Sequence, residues 1–483
     1  MDQTRPTCAA PVVLYELNEV PWRVVDWYVR QRPESHLASV LRSADTYTSV
    51  TRDEGELHPW TTWPTVHRGV YNTAHHIRFI NQDLSAAAQY PPLWEVLARA
   101  GKKVGVFGSM QSYPPPHDLP YAFYVPDTFA PAPETIPERY SCFQVVNLQQ
   151  TQADGAIAKP VKLDARVAWN LMRLFLNGLT PKTAYRLAKQ LLDERKAGIH
   201  RARRAILQAP VAFDVFTHAL ARSDPDFCTF FTNHVAGIMH RYWKYAFPED
   251  FDYRMDGEAD AFHAQSLVVA LDYADEQIGC MKQYVDRRKG RLYIVSSMGQ
   301  EAIDRGEHWR EIRIEDLGRF VRAIGYTKPF EPRMAMHPNF TVELESAADT
   351  SEFVRLVSAL HGAHGKPAFY DIDVEGNTVL FSIGCSAGLV DGGALYPSAG
   401  DEASKLAFEK LGIVQMQRDG GTGYHQPRGI VIRYGADITP NDSRADLESI
   451  DIAPLIFADL GLDPEADLAR WGRHSPRAGV RAD

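Results

Sequence analysis

Apolar runs divide this chain into short strands alternating with amphipathic helices. Residues 12–17, Val-Val-Leu-Tyr-Glu-Leu, form a continuous β-type run that stops at Asn18-Glu19. Buried parallel strands have this character, and open α/β sheets place ligand chemistry at their C-terminal ends. Residues 92–100 repeat apolar positions at helical spacing, Gly101 supplies a stop, and residues 103–108 read as strand, which makes one compact helix–turn–strand unit. The prolines at 114–116, 131, 133 and 137 mark what reads as a surface excursion. Residues 163–222 are helical in pattern, with breaks expected at Gly178 and Pro210. Strands are expected at 227–232 and 291–296, with a helix over 262–285 between them. Residues 340–345, 351–360, 368–374 and 378–383 read strand, helix, strand, strand, and Glu375-Gly376-Asn377 forms a hairpin turn. A strand at 429–435 and a helix at 452–460 close the pattern.

This alternation predicts an α/β fold with a mainly parallel sheet and helices on both faces. The core is expected over 1–304 and 421–483, with a helical insertion at about 163–222 and a small α+β insertion or cap at 305–420. The chain has 483 residues, 45% hydrophobic and 23% charged, ample for such a core. Net charge is 52 − 61 = −9, so no global basic field argues for nucleic acid. A local exception is the basic helical stretch 186–204, which reads first as a solvated helix face and second as a surface for anionic ligands or lipid headgroups. Five scattered cysteines (Cys8, Cys142, Cys228, Cys280 and Cys385) indicate neither a disulfide framework nor a Cys-based zinc site. With no apolar leader and no bilayer-length apolar run, the expectation is a cytoplasmic protein without a transmembrane segment. Nothing in the pattern sets the oligomeric state.

Residues 60–77, Trp-Thr-Thr-Trp-Pro-Thr-Val-His-Arg-Gly-Val-Tyr-Asn-Thr-Ala-His-His-Ile, carry the most telling chemistry. Thr62 stands two places before Pro64, and Pro pre-organises a first helical turn. A threonine at a helix N-terminus meets free N–H groups that favour negative charge, where its oxygen could attack a phosphoryl or sulfuryl centre. An ordinary N-cap threonine is the simpler reading of these residues taken alone.

The ordered set of motifs resembles the alkaline phosphatase superfamily, nearest its type I phosphodiesterase/nucleotide pyrophosphatase branch. The correspondence runs through Asn18 and Trp22, Thr62-Trp63-Pro64, Gly69 through Ile77, residues 93–108, 230–240 and 296–299, Gly423-Tyr424-His425, and 451–462. The resemblance implies an alkaline-phosphatase-like core and a metal-assisted hydrolase or transferase acting on a phosphate or sulfate ester, with Thr62 as nucleophile. The family's nucleophile-side metal takes Asp, Thr, Asp and His, and this chain offers Asn18, Thr62, Ser297 and Met298. Neutral groups and a thioether there remove the hard anionic donors, so that site reads as lost.

For the second metal the candidates are His234, His240 and His425, with Asn233 as a further option, holding one divalent cation: zinc, with manganese as the alternative. On a helix His234 and His240 stand about 240° apart, so their convergence requires a loop at 233–238. The interval from threonine to glycine is shorter than in the family, which leaves Thr61, Thr62 or Thr65 to face the cavity. His67, Glu16, Glu19 or His58 could activate the hydroxyl, and Arg241 could hold a phosphate. The expected ligand is a small anionic molecule such as a phosphate ester. The competing reading is a catalytically inactive pseudoenzyme that binds an anionic ligand or a protein partner.

Overall fold

A computed structural model describes residues 10–154, 165–304, 312–336, 339–363, 365–383, 393–398, 402–415 and 421–462. Eight strands form the central sheet, in the order Asn441–Glu448, Ala44–Val50, Val431–Gly435, Arg291–Val295, Val12–Leu17, Phe227–Thr232, Val104–Phe107 and Phe123–Val125. Neighbours pair in parallel except around Val431–Gly435, which runs antiparallel to both strands beside it. The expected mainly parallel sheet is therefore present.

Every residue of the Val12–Leu17 strand is buried, which accounts for a run that is apolar everywhere but at Glu16. Its odd positions, Val13, Tyr15 and Leu17, enter a core with Val25, Phe216 and Leu271 from helices on one face. Val12 and Leu14 enter the opposite core with Trp63, Leu97 and Ile456. Glu16 shares that second face, and its buried carboxylate is held by His67 Nε2 at 2.8 Å and Ser109 Oγ at 3.1 Å.

Three local expectations change. The Pro-rich excursion contains the short edge strand Phe123–Val125, wholly buried, whose three residues are too few for a visible alternation. The helix Gln208–Ser223 starts before Pro210, so that proline sits in a first turn instead of breaking a helix. The helix Pro59–Arg68 begins on Pro59 and carries Pro64 inside it. Pro64 donates nothing to Trp60, whose carbonyl instead accepts from Gln111 Nε2 at 3.4 Å.

A second, four-stranded antiparallel sheet orders Phe369–Glu375, Thr378–Ile383, Asn339–Leu344 and Phe330–Arg333. It packs with the helices Leu317–Ala323 and Thr350–Ser358 around Phe320, Phe353 and Phe381 in a core of its own. Gly376, at φ 58°, makes the hairpin turn between the first two strands. The expected boundary segments of this insertion, 305–311 and 416–420, lie outside the described residues, as do Cys8 and Cys385. Cys142, Cys228 and Cys280 are free thiols.

Candidate metal centre

Three neighbouring strands of the central sheet end side by side, and their next residues are Asn18-Glu19, Asn233 and Ser296-Ser297-Met298. Asn18 is fully engaged: Nδ2 donates to Asn233 Oδ1 at 2.7 Å and Glu19 Oε1 at 2.8 Å, and Oδ1 accepts from Trp63 Nε1 at 2.8 Å. A neutral amide thus ties the strand end to the Pro59–Arg68 helix. Ser297 Oγ lies 2.8 Å from Thr62 Oγ1, and Met298 is fully buried. Hydroxyl pairing, amide bonds and a packed thioether fill this side.

The convergent donors stand one residue further on. Glu19, His240 and His425 bring one ligand atom each within 4.8 Å of one another, the one such group of His, Cys, Asp or Glu among the described residues. Glu19 adopts a left-handed conformation, φ 61°, at the strand end. His240 comes from the helix His234–Ala246. His425 comes from a ribbon in which Gly423–Gln426 pairs antiparallel with Gly299–Ala302, opposite Gln300. Glu19 Oε2 lies 2.9 Å from His240 Nε2 and 3.6 Å from His425 Nε2. Ligand atoms of a tetrahedral centre with bonds of about 2.0–2.1 Å are separated by about 3.4 Å, inside this range. His240 Nδ1 donates to Gly423 O at 2.9 Å, leaving Nε2 turned to Glu19 with its lone pair available when the ring is neutral. Gln300 Nε2 donates to Glu19 Oε2 and orients the carboxylate. The buried Nδ1 of His425 and Oε1 of Gln300 have no hydrogen-bond partner. One carboxylate and two imidazoles fit a divalent cation such as zinc, with a coordination position to spare.

The electrostatics match a tight charge cluster. Burial raises the Glu19 pKa, but His425 and His240 outweigh it and hold the carboxyl well below its ordinary range. Burial lowers the His240 pKa, yet Glu19 and the Gly423 carbonyl leave it above the ordinary imidazole value. His58 lies edge-on to His425 and stacks on Trp60; burial and the neighbouring His425 push its pKa down to about 3.

The other expected site residues take different places. His234 is corrected out of the ligand set. It opens a helix, kinked only further on at Tyr242, instead of a loop; Nδ1 meets Thr232 Oγ1 at 2.6 Å, and Nε2 meets Ala270 O at 2.9 Å. Both ring nitrogens are spent, and burial lowers its pKa to about 4. Thr62 is not at a free helix N-terminus: its N–H bonds to His58 O, and its buried hydroxyl meets His58 O at 3.2 Å besides Ser297. Thr65 belongs to a separate knot, with Asp53 carboxylate oxygens at 2.7 and 2.8 Å and His75 Nε2 at 3.0 Å. His67 pairs with Glu16 and lies five residues from Thr62, about 140° round the helix. Arg241 is exposed beside His240. Asn233 serves as a partner of Asn18.

Glu19 as a candidate ligand and Gln300 as its holder escape a reading by aligned motif. Asn18 occupies the aligned place, and only the left-handed turn carries the next carboxylate into the site. Beyond His58 lies a cleft of about 260 Å³ between the core and the insertion, walled by Glu54, Glu56, Arg78, Asp371 and Asp373. Tyr424, stacked on His425 at 4.7 Å, joins its Glu56 side to the metal-ligand cluster through a hydrogen bond.

No family model matches the chain, and no curated protein matches it. Solved structures do. Murine ectonucleotide pyrophosphatase/phosphodiesterase 5 is similar at 11% identity, covering 94% of this chain and 96% of its own, with a TM-score of 0.42. Its human counterpart is similar at 11% identity, covering 94% and 95%, with a TM-score of 0.43. Phosphonoacetate hydrolase from Sinorhizobium meliloti, in complex with phosphonoformate, is similar at 11% identity, covering 94% and 96%, with a TM-score of 0.38. Likeness at this level leaves the chemistry to this chain's own residues.

Proposed function

We propose that this chain binds one divalent cation, zinc or manganese, on Glu19, His240 and His425 and hydrolyses or transfers a group from a small phosphate ester. The observation that carries the reading is the convergence of a carboxylate and two imidazoles at the C-terminal edge of the central strands. A bound cation would supply Lewis-acid polarisation of a phosphoryl oxygen. The chain's own contribution is positioning. Gln300 and Asn18 fix the two oxygens of Glu19, and the Gly423 carbonyl fixes the tautomer of His240.

Thr62 is the proposed nucleophile, and its lack of exposed surface favours a second reading, a binding protein for an anionic ligand. One set of measurements separates the two. Elemental analysis of protein purified without chelators should find about one zinc or manganese per chain, and His240→Ala and Glu19→Gln should each remove it. Turnover of a phosphate mono- or diester that disappears with the metal and in Thr62→Ala supports the enzyme. Metal without turnover on a broad ester panel supports the binder. Protein with no metal, and none taken up on dialysis against zinc or manganese, overturns the metal centre in both.

A further inference from the structure

Seven of the nine large hydrophobic side chains exposed among the described residues fall between 169 and 192. They lie on two consecutive helices, Ala165–Leu176 and Pro181–Lys196. Trp169, Met172 and Leu176, at i, i+3 and i+7, are 57%, 50% and 75% exposed. That spacing is one helix face, and here it is turned to solvent instead of a core. On the second helix Tyr185 and Leu192 repeat the i, i+7 spacing at 68% and 55% exposure. Lys182, Lys189 and Lys196 are spaced every seven residues on the same helix, about 50° round from that stripe, and all are exposed.

Charge says what covers this face. Residues 165–207 hold ten Lys and Arg against Asp193 and Glu194, a net of 10 − 2 = +8 in a chain whose total is −9, and Glu276, which pairs with Lys182 and Arg186, offsets one more of these charges. A second copy docked through the same face would set two strongly positive surfaces against each other. An anionic lipid surface meets both features at once: the headgroups take the lysines and arginines, and the interface takes Trp169, Tyr185 and the aliphatic side chains. No described helix is long and apolar enough to cross a membrane, so the contact would lie along the surface.

We infer that these two helices form a docking face for membranes rich in anionic phospholipid. The inference is independent of the metal centre. The test is co-sedimentation of the full chain with phosphatidylcholine vesicles with and without phosphatidylserine. Binding should require phosphatidylserine and fall about tenfold or more on moving from low to high salt. Two variants should each weaken binding about tenfold while circular dichroism stays unchanged: W169S/L192S, and K189A/R195A/K196A. The salt series on the unaltered protein stands even if a variant misfolds. Three outcomes overturn the inference. One is protein that stays in the supernatant with phosphatidylserine vesicles, and another is protein that sediments equally with and without that lipid. The third is self-association without lipid that W169S/L192S abolishes, which assigns the face to a second copy.

Discussion

His234 shows how burial converts a metal-binding residue type into a structural one. Its ring is enclosed, both nitrogens are bonded, and burial lowers its pKa to about 4. The folded chain therefore keeps it neutral where the unfolded chain, near 6.5, takes up a proton. With more protons bound in the unfolded state, stability falls as pH drops from about 6.5 towards 4, and the loss is complete near the lower value. Integrated over that window, His234 alone contributes on the order of 3 kcal/mol. His58 and His75, both lowered to about 3 chiefly by burial, add in the same direction. Urea unfolding at pH 7 and pH 5 measures the effect. The drop in unfolding free energy between the two should be smaller by about 2 kcal/mol in His234→Gln than in the unaltered chain. Equal drops would mean that the ring is already charged or accessible in the fold.

Among the elements, the ribbon of Gly299–Ala302 and Gly423–Gln426 does most to assemble the site, because it alone carries His425 to Glu19. Its closeness to the His234–Ala246 helix depends on Gly423: a Cβ there would lie 2.6 Å from Met239 O and 2.7 Å from Gln300 Oε1. Gly423→Ala should push the Gly423–Gln426 strand away from the helix that carries His240 and from Gln300 on the partner strand. Metal affinity is expected to fall about 10- to 100-fold, the range for disturbing groups that orient ligands. Competition with a chelator reads this directly, and unchanged affinity would show that the ribbon tolerates the methyl group without moving its histidine. The strands flanking the site were legible in sequence, since Val12–Leu17, Phe227–Thr232 and, from Leu292 on, Arg291–Val295 are buried on both faces and carry mostly apolar runs. Of the proposed ligand set, His240 and His425 could be picked out by type and place in the chain. Glu19 as a candidate ligand could not, because periodicity does not reveal a left-handed residue at a strand end. Nor could the loss of His234, which depends on a helix running through 234–238, where convergence required a loop.

Taken as a whole molecule, the chain sets the approach to this centre by how its insertion meets the core. Arg78 Nη1 reaches Asp373 Oδ2 at 3.3 Å, and Asn339 Nδ2 lies 3.2 Å from His58 Nε2, so the antiparallel sheet of the insertion forms one wall of the cleft. That wall and the facing loop contribute Glu54, Glu56, Asp371 and Asp373 against Arg78, while His58 stays uncharged. The mouth is thus net negative, although the proposed ester carries negative charge itself. Repulsion at the entrance slows the encounter of an anion, and salt screens it over about 10 Å at 0.1 M. For a simple anionic ester such as bis-p-nitrophenyl phosphate, kcat/KM should therefore rise with ionic strength, by roughly two- to fivefold between dilute buffer and about 0.3 M salt. Asp371→Asn should raise the low-salt value and flatten the rise, because one source of the repelling field is gone. A rate that falls with salt would have the opposite meaning. The field along the approach of this anion would then be net positive, and the acidic cleft would not be its route.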